Sequence, residues 1–132
     1  MIDCKIGIVG LGYVGMPLAV EFGKVFSTVG FDIDKQRIEE LVQFIDRTNE
    51  VLREEIEAAK YLKLSHCVND LSECDIFIVT VPTPIDDHNQ PNMEPLKSAS
   101  VLIGELLKKG DLVIFESTVY PGATEEVCLP LL

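Results

Sequence analysis

The chain has 132 residues, 47% of them hydrophobic and 25% charged, the composition of one ordinary globular domain with enough apolar material for a core. A formal net charge of -11 argues against nucleic acid and anionic membrane as partners, because such a footprint needs clustered Lys and Arg. No apolar run reaches the length of a membrane span, and the start lacks a basic segment followed by a long apolar core, so a cytoplasmic protein is expected.

The first element is Lys5 to Glu21, KIGIVGLGYVGMPLAVE. Ile6, Ile8 and Val9 predict a short apolar strand, and Val14, Leu18 and Phe22 recur at helical spacing. Between them the chain turns through Gly10-Leu11-Gly12-Tyr13-Val14-Gly15. In such a strand–turn–helix, Gly10 allows the sharp turn, Gly12 leaves room for a pyrophosphate against the backbone, and Gly15 lets the helix approach the sheet. Free N–H groups at the helix start, assisted by the helix dipole, would then face the phosphates. Pro17 removes an N–H near the end of the first turn, where proline is tolerated. The alternative for this motif is a glycine turn of an α/β domain that holds no nucleotide.

A second apolar stretch, Thr28 to Phe31, ends at Asp32. This carboxylate is placed to accept hydrogen bonds from the adenosine ribose hydroxyls and would repel a 2′-phosphate, which favours NAD over NADP. Asp34 to Asp46 predicts a helix with Asp34 as N-cap and Ile38, Leu41, Val42 and Ile45 on its apolar face. Arg37 lies one turn in, where a cation could reach the adenosine side of the cofactor; the alternative is a solvated helix arginine. A second helix is expected over Asn49 to Lys60, with Val51, Leu52 and Ile56 on its apolar side, as an insertion packed loosely over one edge.

Leu62 to Val68 is a weaker strand candidate, followed by a short polar connection from Asn69 to Cys74. Asp75 to Val81, DIFIVTV, is almost continuously apolar and rich in branched residues, as expected of a central parallel strand covered on both faces. Pro82-Thr83-Pro84 stops it and forms a loop at its carboxyl end. A polar turn-forming segment, Ile85 to Asn92, precedes a helix from Pro95 to about Lys109, with Leu96, Ala99, Leu102, Ile103, Leu106 and Leu107 on the buried side. Lys108 and Lys109 complement its C-terminus and Gly110 ends it. The last strand, Leu112 to Phe115, runs into Glu116-Ser117-Thr118-Val119-Tyr120-Pro121-Gly122, and Thr124 to Leu132 can begin another helix.

The order β-α-β-α-(α)-β-β-α-β predicts an α/β fold, a Rossmann-type doubly wound parallel sheet in a single domain, with ligands at the carboxyl ends of the strands. Three loops then surround one site: Gly10 to Gly15 for phosphates, and Pro82 to Pro84 with Ser117 to Gly122 at the nicotinamide end. Cys4, Cys67, Cys74 and Cys128 form no CxxC pair and have no histidine at ligand spacing, so they are expected to be free thiols rather than metal ligands or disulfides. His66 and His88 are isolated, and each is expected to be a surface or loop residue.

With these pieces assembled, the chain resembles the NAD-binding domain of the UDP-glucose/GDP-mannose dehydrogenases. The resemblance rests on GLGYVGMPLA (Gly10 to Ala19), FDID (Phe31 to Asp34), VTVPTPID (Val79 to Asp86) and ESTVYPGAT (Glu116 to Thr124), in the family's order and spacing. It looks most like bacterial enzymes acting on UDP-N-acetylhexosamines in capsule or Vi-antigen synthesis. The resemblance implies a 6-dehydrogenase that oxidises the C6 alcohol of a nucleotide sugar to a carboxylate in two hydride transfers to NAD, through an aldehyde and a cysteine thioester. It also implies a homodimeric parent with a UDP-sugar as substrate.

Carried onto this sequence, Gly12 and the helix start (Tyr13, Val14, Gly15) would contact the pyrophosphate, Asp32 the ribose, and Arg37 the adenosine end. Pro82 and Thr83 would lie near the cofactor, and Thr118 would position water or an oxyanion at the reacting carbon. For Thr118 the alternative is a hydroxyl satisfying a loop backbone. The family's nucleophilic cysteine, catalytic lysine and asparagine belong to a later domain, beyond residues 1–132. Cys128-Leu129-Pro130 echoes the family's Cys-Leu-Pro but lacks the preceding glycine-rich turn, so Cys128 is read as a structural thiol. The chain alone is therefore expected to bind NAD weakly and to turn nothing over. A small-hydroxyacid dehydrogenase domain and a non-catalytic NAD/NADH-sensing module are the two other classes that share the glycine turn.

Overall fold

The computed structural model describes residues 4–82, 88 and 92–116. Among them, strands β1 (Lys5–Val9), β2 (Ser27–Phe31), β3 (Leu62–Ser65), β4 (Ile76–Val79) and β5 (Leu112–Phe115) form one sheet. Its order is β3-β2-β1-β4-β5, and every pairing is parallel. Helices α1 (Gly15–Gly23), α2 (Lys35–Val42), α3 (Arg53–Ala58) and α4 (Glu94–Gly104) supply the crossovers. The expected doubly wound parallel sheet is thus present.

Side chains alternating along each strand build two apolar layers. Ile6, Ile8 and Ile78 face one layer with Met16, Ala19 and Val20 of α1 and Ile38 and Leu41 of α2. Val9, Phe77 and Val79 face the other with Leu96, Ala99 and Ile103 of α4. Because β4 sends side chains into both layers, its sequence shows no polar alternation.

Several expected boundaries shift. The second helix ends at Val42, where the N–H of Ile45 bonds the carbonyl of Glu40 and that of Phe44 bonds Leu41, with Phe44 at φ 64. This is a Schellman closure with phenylalanine in the left-handed position that glycine usually takes. The reversal takes Ile45 out of the helical phase, and Val42 and Ile45 are exposed rather than on the apolar face. The expected helix over Asn49 to Lys60 starts only at Arg53, because the N–H groups of Glu50 and Val51 are bonded by the Asp46 carboxylate and Asn49 is left-handed at φ 56. It is not loosely packed: Val51, Ile56 and Ala59 belong to the core, whereas Leu52 is exposed.

The connection from Asn69 to Cys74 is not merely polar. It carries a 3-10 turn (Val68–Leu71), and Leu71 and Cys74 are fully buried. Helix α4 ends at Gly104 rather than near Lys109. The N–H groups of Leu106 and Leu107 both turn back to the carbonyl of Ile103, and Lys108 reaches the carbonyl of Cys74 at 3.1 Å. Gly110, at φ 94, makes the turn into β5. The segments Thr124 to Leu132 and Ser117 to Gly122, with Cys128, lie outside the described residues.

Candidate functional site

The strand order reverses between β1 and β4, which start crossovers to opposite sides of the sheet. At that break the carboxyl ends of neighbouring strands diverge and leave a crevice. The glycine turn follows β1 directly into it.

Gly10 stands at φ 102, and a Cβ there would lie 2.9 Å from the backbone nitrogen of Val81. The buried Thr80 closes this contact from the β4 side by donating its hydroxyl to the Gly10 carbonyl at 2.5 Å. Gly15 opens α1 so close to the turn that a Cβ would sit 1.8 Å from the Gly10 carbonyl oxygen. Gly12 differs, since a Cβ there would meet nothing within 4 Å. It borders open space, and the N–H groups of Gly12, Tyr13 and Val14 donate to no other described residue. Tyr13 and Val14 are exposed. Unpaired donors at a helix N-terminus beside open space fit a phosphate group.

Asp32, half-buried, follows β2. Its Oδ2 accepts from the Leu11 N–H at 2.9 Å and its Oδ1 from the Asp34 N–H at 2.9 Å. A carboxylate has about four acceptor positions, so each oxygen keeps capacity for a hydroxyl donor.

Asp34 caps α2 by accepting from the N–H groups of Gln36 and Arg37, as expected. Arg37 is not the solvated helix residue that stood as its alternative. Its side chain is 4% exposed, Nε donates to the Leu11 carbonyl at 2.8 Å, and Nη1 lies 2.8 Å from Asp46 Oδ1 as an ion pair. Nη1 and Nη2 are both buried without a hydrogen-bond partner among the described residues, so Asp46 meets Nη1 as a close charge contact rather than an aligned hydrogen bond. Asp46 also accepts from the Thr48 hydroxyl at 2.7 Å and from the N–H groups of Thr48, Glu50 and Val51. Burial pushes this carboxyl up, but the Thr48 hydroxyl, the Arg37 guanidinium and the backbone donors outweigh it and hold the group at about 2.

Leu11 therefore joins the glycine turn, Asp32 and Arg37 into one cluster. Pro82 is exposed just past β4, next to Val81; Thr83 and Thr118 lie outside the described residues. Two contributors went unread in the sequence, Thr80 and Asp46. The signal for Asp46 was the Asp-Arg-Thr run, in which an Asx turn to Thr48 is encoded.

The model of the UDP-glucose/GDP-mannose dehydrogenase family, NAD binding domain, matches residues 4–132. The chain belongs to this family. It is the family's NAD-binding domain, and the open glycine turn and the carboxylate after β2 fit that cofactor. The chain is 60% identical over 132 residues to a UDP-N-acetyl-D-glucosamine 6-dehydrogenase of Pseudomonas aeruginosa, covering 100% of this chain and 31% of that protein. It is 52% identical over 130 residues to a UDP-N-acetyl-D-glucosamine 6-dehydrogenase of Salmonella typhi, covering 98% of this chain and 31% of that protein. The solved structure of a UDP-D-ManNAc dehydrogenase from Pyrococcus horikoshii superposes with a TM-score of 0.84 at 30% identity, over 96% of this chain and 31% of that one. The chain thus spans about a third of the length of the family members it matches.

No helix among the described residues is long and apolar enough to cross a membrane. The described cysteines Cys4, Cys67 and Cys74 are free thiols. Burial raises the Cys74 thiol to about 11.

Proposed function

We propose that this chain is the NAD-binding domain of a longer enzyme that oxidises the C6 hydroxyl of a UDP-N-acetylhexosamine to a carboxylate, supplying a uronic acid for surface polysaccharide. The observation that carries the reading is the preformed glycine turn, open at Gly12 and flanked by the half-buried Asp32, in a chain 60% identical to a UDP-N-acetyl-D-glucosamine 6-dehydrogenase. NAD, when bound, accepts the hydride from C6.

The chain's own residues bind and orient. The N–H groups of Gly12, Tyr13, Val14 and Gly15 receive the pyrophosphate at the start of α1, where the dipole favours an anion. Asp32 accepts from the ribose hydroxyls, and its charge disfavours a 2′-phosphate. Arg37 borders the adenosine end. Pro82 and Thr83 flank the nicotinamide side, and Thr118 holds a water or an oxyanion at the reacting carbon; its hydroxyl both donates and accepts, as a sequence of alcohol, aldehyde and water requires. The nucleotide-sugar pocket and the covalent chemistry reside in the remaining two thirds of the enzyme, which acts as a homodimer in the cytoplasm.

Titration calorimetry of the chain with NAD and with NADP tests the cofactor side. NAD is expected to bind more tightly than NADP, and Asp32→Ala to weaken NAD by roughly 10- to 100-fold, the worth of a charge-assisted hydrogen bond. No binding of either nucleotide overturns the reading. The chain alone is expected to form no NADH from UDP-N-acetylglucosamine, and the full-length enzyme to form it; steady NADH production by the 132-residue chain contradicts the division of labour proposed here.

A further inference from the structure

We infer that Asp46 is a positioning residue for the cofactor, acting through Arg37 on the peptide that carries the Gly12 N–H. The inference rests on the NAD reading above. Asp46 lies outside the glycine motif, in the connection between α2 and α3, and its side chain is only 1% exposed. A buried carboxylate is unfavourable unless paired. Four of its contacts come from the adjacent backbone and hydroxyl at Thr48, Glu50 and Val51. The one charge it meets from outside its own loop is Arg37.

Arg37 is planar, so fixing one of its nitrogens orients the others. With Nη1 on Asp46, Nε is aimed at the Leu11 carbonyl, 2.8 Å away. That carbonyl shares a peptide unit with the Gly12 N–H. No cis peptide occurs among the described residues, and in a trans peptide the C=O and N–H point in opposite directions. Holding the Leu11 oxygen toward Arg37 therefore turns the Gly12 N–H away from Arg37, at a residue that itself borders open space. On the other side of the same residue, the Leu11 N–H is held by Asp32. Asp46 thus sets the direction of a phosphate donor without touching the phosphate. Such preorganisation lowers the ordering cost of binding.

The test combines NAD calorimetry with the amide resonance of Gly12 in the unliganded protein. Asp46→Asn is expected to stay folded, to shift the Gly12 amide resonance, and to weaken NAD by about tenfold, the net worth of the hydrogen bond from Arg37 Nε to the Leu11 carbonyl that it leaves misaimed. ADP-ribose should lose as much as NAD, since both carry the pyrophosphate. Combined with Arg37→Met, the loss should be no greater than that of Arg37→Met alone, the mark of residues acting in series. A buttress for the α3 loop alone would lower the unfolding midpoint and leave the Gly12 resonance in place.

Should Asp46→Asn not fold, Arg37→Lys keeps the charge opposite Asp46 and removes the Nε donor. An unmoved Gly12 resonance in that variant overturns the inference. NAD affinity unchanged in a folded Asp46→Asn overturns it too, leaving the NAD reading intact. Absence of NAD binding by the unaltered chain overturns that reading and this inference with it.

Discussion

The hydroxyl of Thr80 and the carbonyl oxygen of Gly10 lie 2.5 Å apart across the break in strand order, one at the end of β4 and the other at the end of β1. The contact links strands far apart in sequence, and the start of α1 packs on both groups. The glycine turn is therefore held by the sheet itself. Asp32 and Arg37 hold Leu11 from the other side, so the turn is clamped at successive residues.

Thr80→Val tests the clamp with a side chain of nearly the same shape. It removes the donor and leaves the Gly10 carbonyl without it, which costs about 1–3 kcal/mol for a buried polar group. The urea midpoint should fall accordingly and NAD affinity should fall with it. A variant as stable as the parent shows that Gly10 is satisfied without Thr80.

Gly12→Ala and Gly15→Ala should separate binding from folding. At Gly15 the new methyl would stand 1.8 Å from the Gly10 oxygen, so α1 must move, at an overpacking cost of about 1–3 kcal/mol. At Gly12 nothing lies within 4 Å, and stability should stay within about 0.5 kcal/mol of the parent. The methyl there occupies the phosphate's space, so NAD affinity should drop by more than about tenfold, a loss of about 1.4 kcal/mol. Denaturation and calorimetry on both variants give the comparison; a Gly12→Ala chain that binds NAD normally moves the pyrophosphate elsewhere.

Gly10 and Gly15 were legible because a steric demand falls on each of them, and β4 was legible because burial on both faces leaves an unbroken apolar run. Arg37 and Asp46 were not. The stripe of Ile38 and Leu41 includes Arg37 by helical phase, but a pattern scored on apolar residues passes over a charge whose partner is supplied by a distant loop. The end of α2 was hidden for a related reason, since Phe44 takes the left-handed place without a glycine to mark it. Beyond α4, Lys108-Lys109-Gly110 had the chemistry of a helix end, yet Lys108 serves the Cys74 carbonyl instead. Local signals were followed wherever no tertiary contact competed for the same group.

The cysteines should differ sharply in reactivity. Cys74 is fully buried and its thiol is pushed up by burial to about 11, whereas Cys67 is exposed. Because the thiolate is the reacting species, a soluble alkylating reagent near neutral pH should modify Cys67 and spare Cys74 until the chain unfolds. Peptide mass spectrometry after brief labelling reads this directly. Labelling of Cys74 at the rate of Cys67 in the native protein means that the layer beneath β1 and β4 opens far more readily than its packing indicates.

Acid should unfold the chain partly through Asp46. Its carboxyl is held at about 2 in the folded protein against an ordinary 3.8, so between those values the unfolded chain binds more protons than the folded one. Stability then rises with pH across that window: the contribution of Asp46 is fully present above about pH 4 and disappears as pH falls through about 2. A depression of this size corresponds to about 2 kcal/mol. Urea denaturation of the parent and of Asp46→Asn, compared at about pH 5 and again near pH 2, should show their difference in stability shrinking by about that amount. The amide cannot take up the proton, so its curve lacks this component. Parallel curves would mean that the Asp46 carboxylate gains nothing on folding, and that the enclosure by Arg37, Thr48 and Val51 offsets only the cost of its burial.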